Sequence, residues 1–269
     1  KGSFRLSGNR LLTVEAVHSE NTNVARVAPD PVTGMSMPIT SPFYPKNFAG
    51  LDATKALLGI GWRMVPAGRR ENTSTATANR VVVDLSGVEG AWDYKTGFYS
   101  ASSTVSDGPT NGYVSKTKIQ AGVTNGLLNP FGSNTQAALD YIDAAKARGT
   151  FSTGRGTATG VDARFNRDWF KMDGGNAAVS LGAEARRETY NTDTDDALVS
   201  SVPSAGRSPY HVSKDKANRD VTALVAEALF PVSKQLELQA ALRADNYSDF
   251  GSSVNPKVGF RYTLSPTAV

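Results

Sequence analysis

The chain has 269 residues, 39% hydrophobic and 20% charged, with a net charge of +4. That balance excludes a disordered tail and a helical membrane protein, because no stretch reaches the roughly 18 apolar residues a spanning helix needs. A mean hydropathy of −0.31 still admits a β-barrel, which wets half of its strand positions.

Cysteine is absent, which removes disulfides, thiolate catalysis and Cys-based metal sites, and the two histidines, His18 and His211, lack metal-ligand spacing. The basic residues are scattered through the chain and form no stripe, so nucleic acid is not an expected partner.

In chain order, "LLTVEAVHS" (11 to 19) and "ANRVVVDLSG" (78 to 87) are the first strand candidates. Between them the Pro-rich run "PITSPFYPKNFAG" and the segment "GIGWRMV" break the pattern. The simplest expectation is one long excursion over 20 to 77, with a projecting hairpin arm built from "GIGWRMV" and "NRVVV". "AWDYKTGFYS" then opposes Trp92, Tyr94 and Phe98 to Asp93, Lys95 and Tyr99. A polar stretch over 104 to 150 contains "TQAALDYIDAAKA" (135 to 147). It is predicted to be an amphipathic helix with Ala137, Leu139, Ile142 and Ala145 on one side and "GSN" as its cap region.

"GRGTATG" (154 to 160) has the wrong spacing for a dinucleotide fingerprint and reads as the start of a strand. In "NAAVSLGAEARRETY", Ala177, Val179, Leu181, Ala183 and Ala185 oppose Ser180, Gly182, Glu184 and Arg186. A polar stretch without period follows over 190 to 217. Alternation resumes with Leu224, Ala226, Ala228 and Phe230 against Glu227. It continues with Leu236, Leu238, Ala240, Leu242 and Ala244 against Glu237, Gln239, Arg243 and Asp245. The last segment sets Val258, Phe260, Tyr262 and Leu264 against Lys257, Gly259 and Arg261.

The connections come in two sizes: short turns at 86 to 92, 173 to 176 and 231 to 235, and the long stretches above. Short turns at one rim and long loops at the other are the pattern of an outer-membrane barrel. Trp92, Phe230 and Tyr262 fall near strand ends, where amphipathic rings sit at a membrane interface. A soluble β-sandwich or soluble barrel also alternates, and periodicity alone leaves both open.

"RADNYSDFGSSVNPKVGFRY" (243 to 262) and the strand-turn-strand before it, "AEALFPVSKQLELQAALR", resemble the barrel of TonB-dependent outer-membrane receptors. "WRMVPAGRRENT", "GVEGAWDYKTGFYS", "GLLNPFG" and "GAEARRE" match in the same order. The resemblance implies an all-β fold: an antiparallel transmembrane β-barrel with long extracellular loops, present as about nine strands of a larger plugged barrel. Residues 1–269 would form part of a single barrel domain, with the plug domain and closing strands absent. Lys1 in place of Met, and "TLSPTAV" after the last strand, support the expectation of an internal piece.

The implied activity is active transport of a scarce small-molecule nutrient (siderophore, carbohydrate, peptide or vitamin) across the bacterial outer membrane. Its partners would be the TonB complex and the lipid membrane, with no enzymatic activity and no cofactor. A passive porin, an adhesin barrel or a soluble β-rich binding module are the alternatives.

Specific side chains carry further expectations. Asp193, Asp195 and Asp196 offer carboxylates to Ca²⁺, but the Gly and distal Glu of an EF-hand loop are missing, so a solvated acidic loop is expected. Asp245 and Asp249 are expected to pair or cap rather than catalyse. Glu184, Arg186, Glu227, Glu237, Arg243 and Arg261 should line the wet face in cross-strand ladders, where some would touch a plug. Phe43, Tyr44, Tyr210 and His211 are the loop residues expected to contact substrate.

Overall fold

The computed structural model describes residues 1–52, 55–202, 204 and 215–264. Nine antiparallel strands form one sheet in simple up-and-down order. These are β1 (Gly2–Leu6), β2 (Arg10–Pro29), β5 (Arg69–Glu89), β6 (Trp92–Asn111), β7 (Ser152–Met172), β8 (Gly175–Thr194), β9 (Lys216–Pro231), β10 (Leu236–Tyr247) and β11 (Gly251–Tyr262). β1 and β11 are its edges, so the described sheet is open. Pro256 lies five residues into β11, opposite Leu242 of β10.

The two faces follow the register. Along one rung Leu242 pairs with Ala226, Ala226 with Leu181, Leu181 with Phe165, and Phe165 with Tyr94. Every side chain in that rung is apolar or aromatic. The alternate rung joins Gly160, Arg186 and Val221, next to one joining Asp162, Glu184 and Ala223. The alternation read from single strands therefore assembles into one apolar face and one charged face.

Strand length is uneven. β2, β5, β6, β7 and β8 run 20 or 21 residues, whereas β10 and β11 run 12. Four short connections lie at one rim, at residues 7–9, 90–91, 173–174 and 232–235. At the other rim the long connections are 30–68, 112–151 and 195–215, and the β10–β11 turn is only 248–250.

The expected excursion over 20 to 77 is corrected to 30–68. β2 continues to Pro29 and pairs with β5 from Arg69 upward. From Ala16 to Ala28 β2 is exposed on both faces, so no buried side imposes a period there. Thr22–Thr75, Thr73–Thr110 and Thr157–Thr189 hydroxyl pairs join neighbouring strands at this level. The expected arm is corrected as well: "GIGWRMV" contributes β4 (Leu57–Arg63), which pairs with β3 (Pro31–Pro38), while "NRVVV" belongs to β5 in the main sheet.

The conventional core lies outside the sheet. The β3–β4 hairpin packs on α1 (Lys116–Thr124) and the Val65–Ala67 turn after it packs on α2 (Gln136–Ala144), together burying Met37, Trp62, Met64, Ile119, Leu128 and Ile142. Asp30 ties the two loops together: its buried carboxylate accepts from Val114 N at 3.0 Å, and its carbonyl accepts from Met64 N at 2.8 Å. Gln120 accepts from Ser36 N at 2.9 Å and donates to Ser36 O at 2.7 Å, so α1 completes one edge of β3.

The predicted helix is present, with its face rotated by one residue. Ala138, Ile142 and Ala145 are buried, while Ala137 and Leu139 face solvent. Its cap is Thr135, whose hydroxyl accepts from Ala138 N at 3.3 Å; Asn134 instead braces the preceding turn through Asn129.

Gly112, with φ of 71°, starts the second long loop at a point where a Cβ would collide with the Arg69 carbonyl. Gly112→Ala is expected to destabilise the cap by about 2–3 kcal/mol through combined strain and clash. Limited proteolysis should then cut within 112–151 before the strands.

Candidate functional site

On the charged face, β8 supplies a run of alternating sign. The Arg186 guanidinium donates to Glu184 and to Glu188, each at 2.7 Å. Arg219 on β9 meets Glu188 at 2.6 Å, and Arg243 on β10 meets Asp245 at 2.7 Å and Glu184 at 3.7 Å. Lys95–Asp84 and Arg261–Glu237 extend the pattern at 3.2 and 3.1 Å. The expected ladders are therefore partly along the strand, between residues two apart on one face, and partly cross-strand. Glu227 also lies on this face, beside Gln239 and Lys257 in a shallow depression.

Tyr99 lies across Gly160 and against Arg186. A Cβ at Gly160 would sit 2.9 Å from the tyrosine ring, so the glycine is what lets the ring lie flat on the wall. Arg186→Met should lower stability by about 1–2 kcal/mol, because it leaves Glu184 and Glu188 adjacent with only their outer partners. Arg186→Lys should restore less than half of that, since an ammonium cannot hold both carboxylates in the fork geometry. Denaturation midpoints of the refolded protein check both.

The apolar face carries no charged side chain on β8, β9 or β10 between the two rims' polar residues. On β8 it runs from Ala177 to Ala185 and gives way to Arg187. That distance is about 27 Å along a strand, or about 19–22 Å at a tilt of 35–45°, comparable to the roughly 25 Å apolar band of outer-membrane barrels. At the short-turn rim, Trp92 meets Phe165 edge-on with centroids 6.5 Å apart, Trp169 packs on Phe170, and Phe170 on Phe230. Arg167 folds over Trp92 at 5.2 Å. This is a belt of amphipathic rings at one boundary of the apolar band.

A family model described as "TonB dependent receptor-like, beta-barrel" matches residues 40–268. The chain belongs to the TonB-dependent receptors. It matches their barrel portion, so the apolar face is the lipid face and the charged face lines the lumen. A solved structure, the siderophore receptor PirA from Pseudomonas aeruginosa, aligns with 97% of this chain at 16% identity and a TM-score of 0.33. The chain spans 42% of that receptor's length. No curated protein matches it.

In this receptor barrel, Tyr44 is buried in the cap core, and its hydroxyl donates to the Lys55 carbonyl at 3.5 Å. Phe43 is half-buried against the same core. Tyr210 and His211 lie outside the described residues. Asp195 caps the short α3 (Asp196–Ser201) by accepting from Leu198 N at 2.8 Å, and Asp193 accepts from Thr194 N at 3.0 Å. No group of three His, Asp or Glu side chains converges among the described residues.

In the cap, hydrogen bonding from Lys146, seconded by Arg148, holds the Asp143 carboxyl below its usual range. Both cations lie 3.0 Å away. A depressed carboxyl contributes stability above its unfolded pKa and loses it as pH falls through the folded value, so this contact should weaken below about pH 4. An NMR titration should find the Asp143 midpoint rising toward the ordinary value in Lys146→Ala.

Three features escaped the sequence reading. The helix α1 was legible only through its Ser115 cap and the Ile119–Val123 spacing. The pairing of the two loops into one core had no local signal at all. The third is a groove on the lumenal wall above the lipid band, floored by small residues from strands far apart in sequence.

Proposed function

We propose that this chain forms part of the wall of a larger, plugged outer-membrane barrel. That barrel takes up a scarce small-molecule nutrient with energy supplied by the TonB complex. The observation that carries the reading is the apolar band on one face, free of charge on β8, β9 and β10, backed by a paired Arg/Glu band on the other. A soluble domain has no reason to match its apolar face to hydrocarbon thickness, and a wet lumen accounts for the charges opposite. The long loops at 30–68, 112–151 and 195–215 would face outward, and the short turns would face the periplasm. A plug would meet the wall at the Glu184, Arg186 and Arg243 cluster.

The test uses the intact protein in a Gram-negative host. The expected results are fractionation with the outer membrane, heat-modifiable migration on gels, and growth on one nutrient of a panel of iron chelates, oligosaccharides and cobalamins. That growth should be lost both on deletion of this gene and on deletion of tonB. Recovery of the intact protein as a soluble periplasmic species would sink the proposal. Growth that persists without TonB would return the barrel to the passive porins.

A further inference from the structure

The lumenal face continues above the point where Ala185 gives way to Arg187 on the lipid side. There, strand pairing sets Arg80, Ala101, Ala158, Glu188 and Arg219 in one rung across five strands. The rung above it carries Ala78, Ser103, Gly156 and Tyr190. Together they border a groove of about 670 Å³, within the range of small-molecule sites.

Its floor is Ala101, Ala158, Gly156 and Ser103, so nothing larger than a serine projects between Arg80 at one end and Glu188 and Tyr190 at the other. Three strand spacings separate those ends, about 14 Å at the backbone. Glu188 already accepts from Arg186 and Arg219 at 2.7 and 2.6 Å, which leaves it little charge to offer a ligand. Arg80 is held loosely by comparison. Its ion-pair partner is Glu15 at 3.9 Å, and Glu15 also serves Lys1 at 3.7 Å. Tyr190 is 53% exposed beside the floor.

We propose that this groove binds a planar conjugated group carrying a negative charge. Tyr190 stacks on its face, and Arg80 meets its carboxylate or equivalent anion. A flat, shallow floor favours a flat ligand. A tyrosine ring adds stacking that a saturated group cannot match, and a guanidinium fits a carboxylate's two oxygens. The inference rests on the transport reading for its placement on the extracellular side of the band, and it supplies the ligand chemistry that reading lacks.

The test uses the intact protein in nanodiscs and three probes: naphthalene-2-carboxylate, its fully saturated decalin analogue and the neutral naphthalene-2-carboxamide. The aromatic carboxylate should bind about tenfold more tightly than either of the others by titration. Tyr190→Leu should erase the preference over the decalin acid while Tyr190→Phe keeps it. Arg80→Gln should erase the preference over the amide. These ratios are internal to each variant, so a general loss of folding does not imitate them. Equal binding of all three probes, preferences unmoved by the variants, or no binding because a plug segment fills the groove would each overturn the proposal. TonB dependence is read separately in cells, so its failure leaves these ratios standing.

Discussion

Leu181→Arg should cost the folded barrel about 2–4 kcal/mol, the range for a cation at the midplane of a lipid face. Leu181 stands at the middle of the apolar band, in the rung with Ala226 and Leu242 on one side and Phe165 on the other. A guanidinium there must either stay in hydrocarbon or pull water and headgroups inward. The neighbouring substitution Ser180→Arg supplies the control. Ser180 is paired with Asn166 and Glu227 on the lumenal face, so the same side chain points into water beside a carboxylate. The measurement is the urea midpoint of the intact protein folded into vesicles. Leu181→Arg should fall far below the parent, and Ser180→Arg should stay within about 0.5 kcal/mol of it. Equal effects would mean that the faces are assigned the wrong way round.

Ile142→Ala should cost about 2–4 kcal/mol, and the loss should be confined to the cap. Ile142 is 1% exposed among residues contributed by both long loops. Truncation leaves a cavity that the short α2 cannot collapse without losing its contact with the Val65–Ala67 turn. Leu139→Ala, three residues earlier on the same helix, should cost well under 1 kcal/mol because that side chain is 37% exposed. Hydrogen exchange distinguishes the two outcomes. In Ile142→Ala, amides of 112–151 should lose protection while those of β7 and β8 keep theirs. Uniform loss across sheet and cap would show that the two are one cooperative unit.

The contrast between Ile142 and Leu139 marks where sequence reasoning stops. Helix existence follows from composition and capping, but which stripe is buried depends on the partner. Here the partner is the turn at Val65–Ala67, about seventy residues earlier in sequence. The strands were legible wherever two different solvents bathe their faces: Leu181 against Gly182, Ala226 against Glu227, Leu242 against Arg243. Above the band both faces meet water, Thr and Asn replace the contrast, and β2 beyond Ala16 showed no period to read.

Within the candidate site, the charged residues of the wall were legible because charge on alternate positions is visible in one strand. The geometry of their pairing was not, since Arg186 bridges two carboxylates of its own strand rather than one across the sheet. Arg80 and Tyr190 gave no signal, because their significance lies in the rungs that bring β5, β6, β7 and β8 together. Phe43 and Tyr44 looked like ligand contacts from loop position alone, and the structure puts Tyr44 inside a core.

The division of that core bears on how a barrel of the proposed topology would assemble. Its residues come from 32–67 and from 114–145, with β5 and β6 lying between them in the chain. Neither half buries its methionines, tryptophan or isoleucines without the other, and bringing them together requires closing a long loop first. A loop that folded early would have to be carried through the membrane as a solid body. In the topology proposed above, a core divided between two segments would let each half pass as pliable chain and become rigid only after both have reached the outer side.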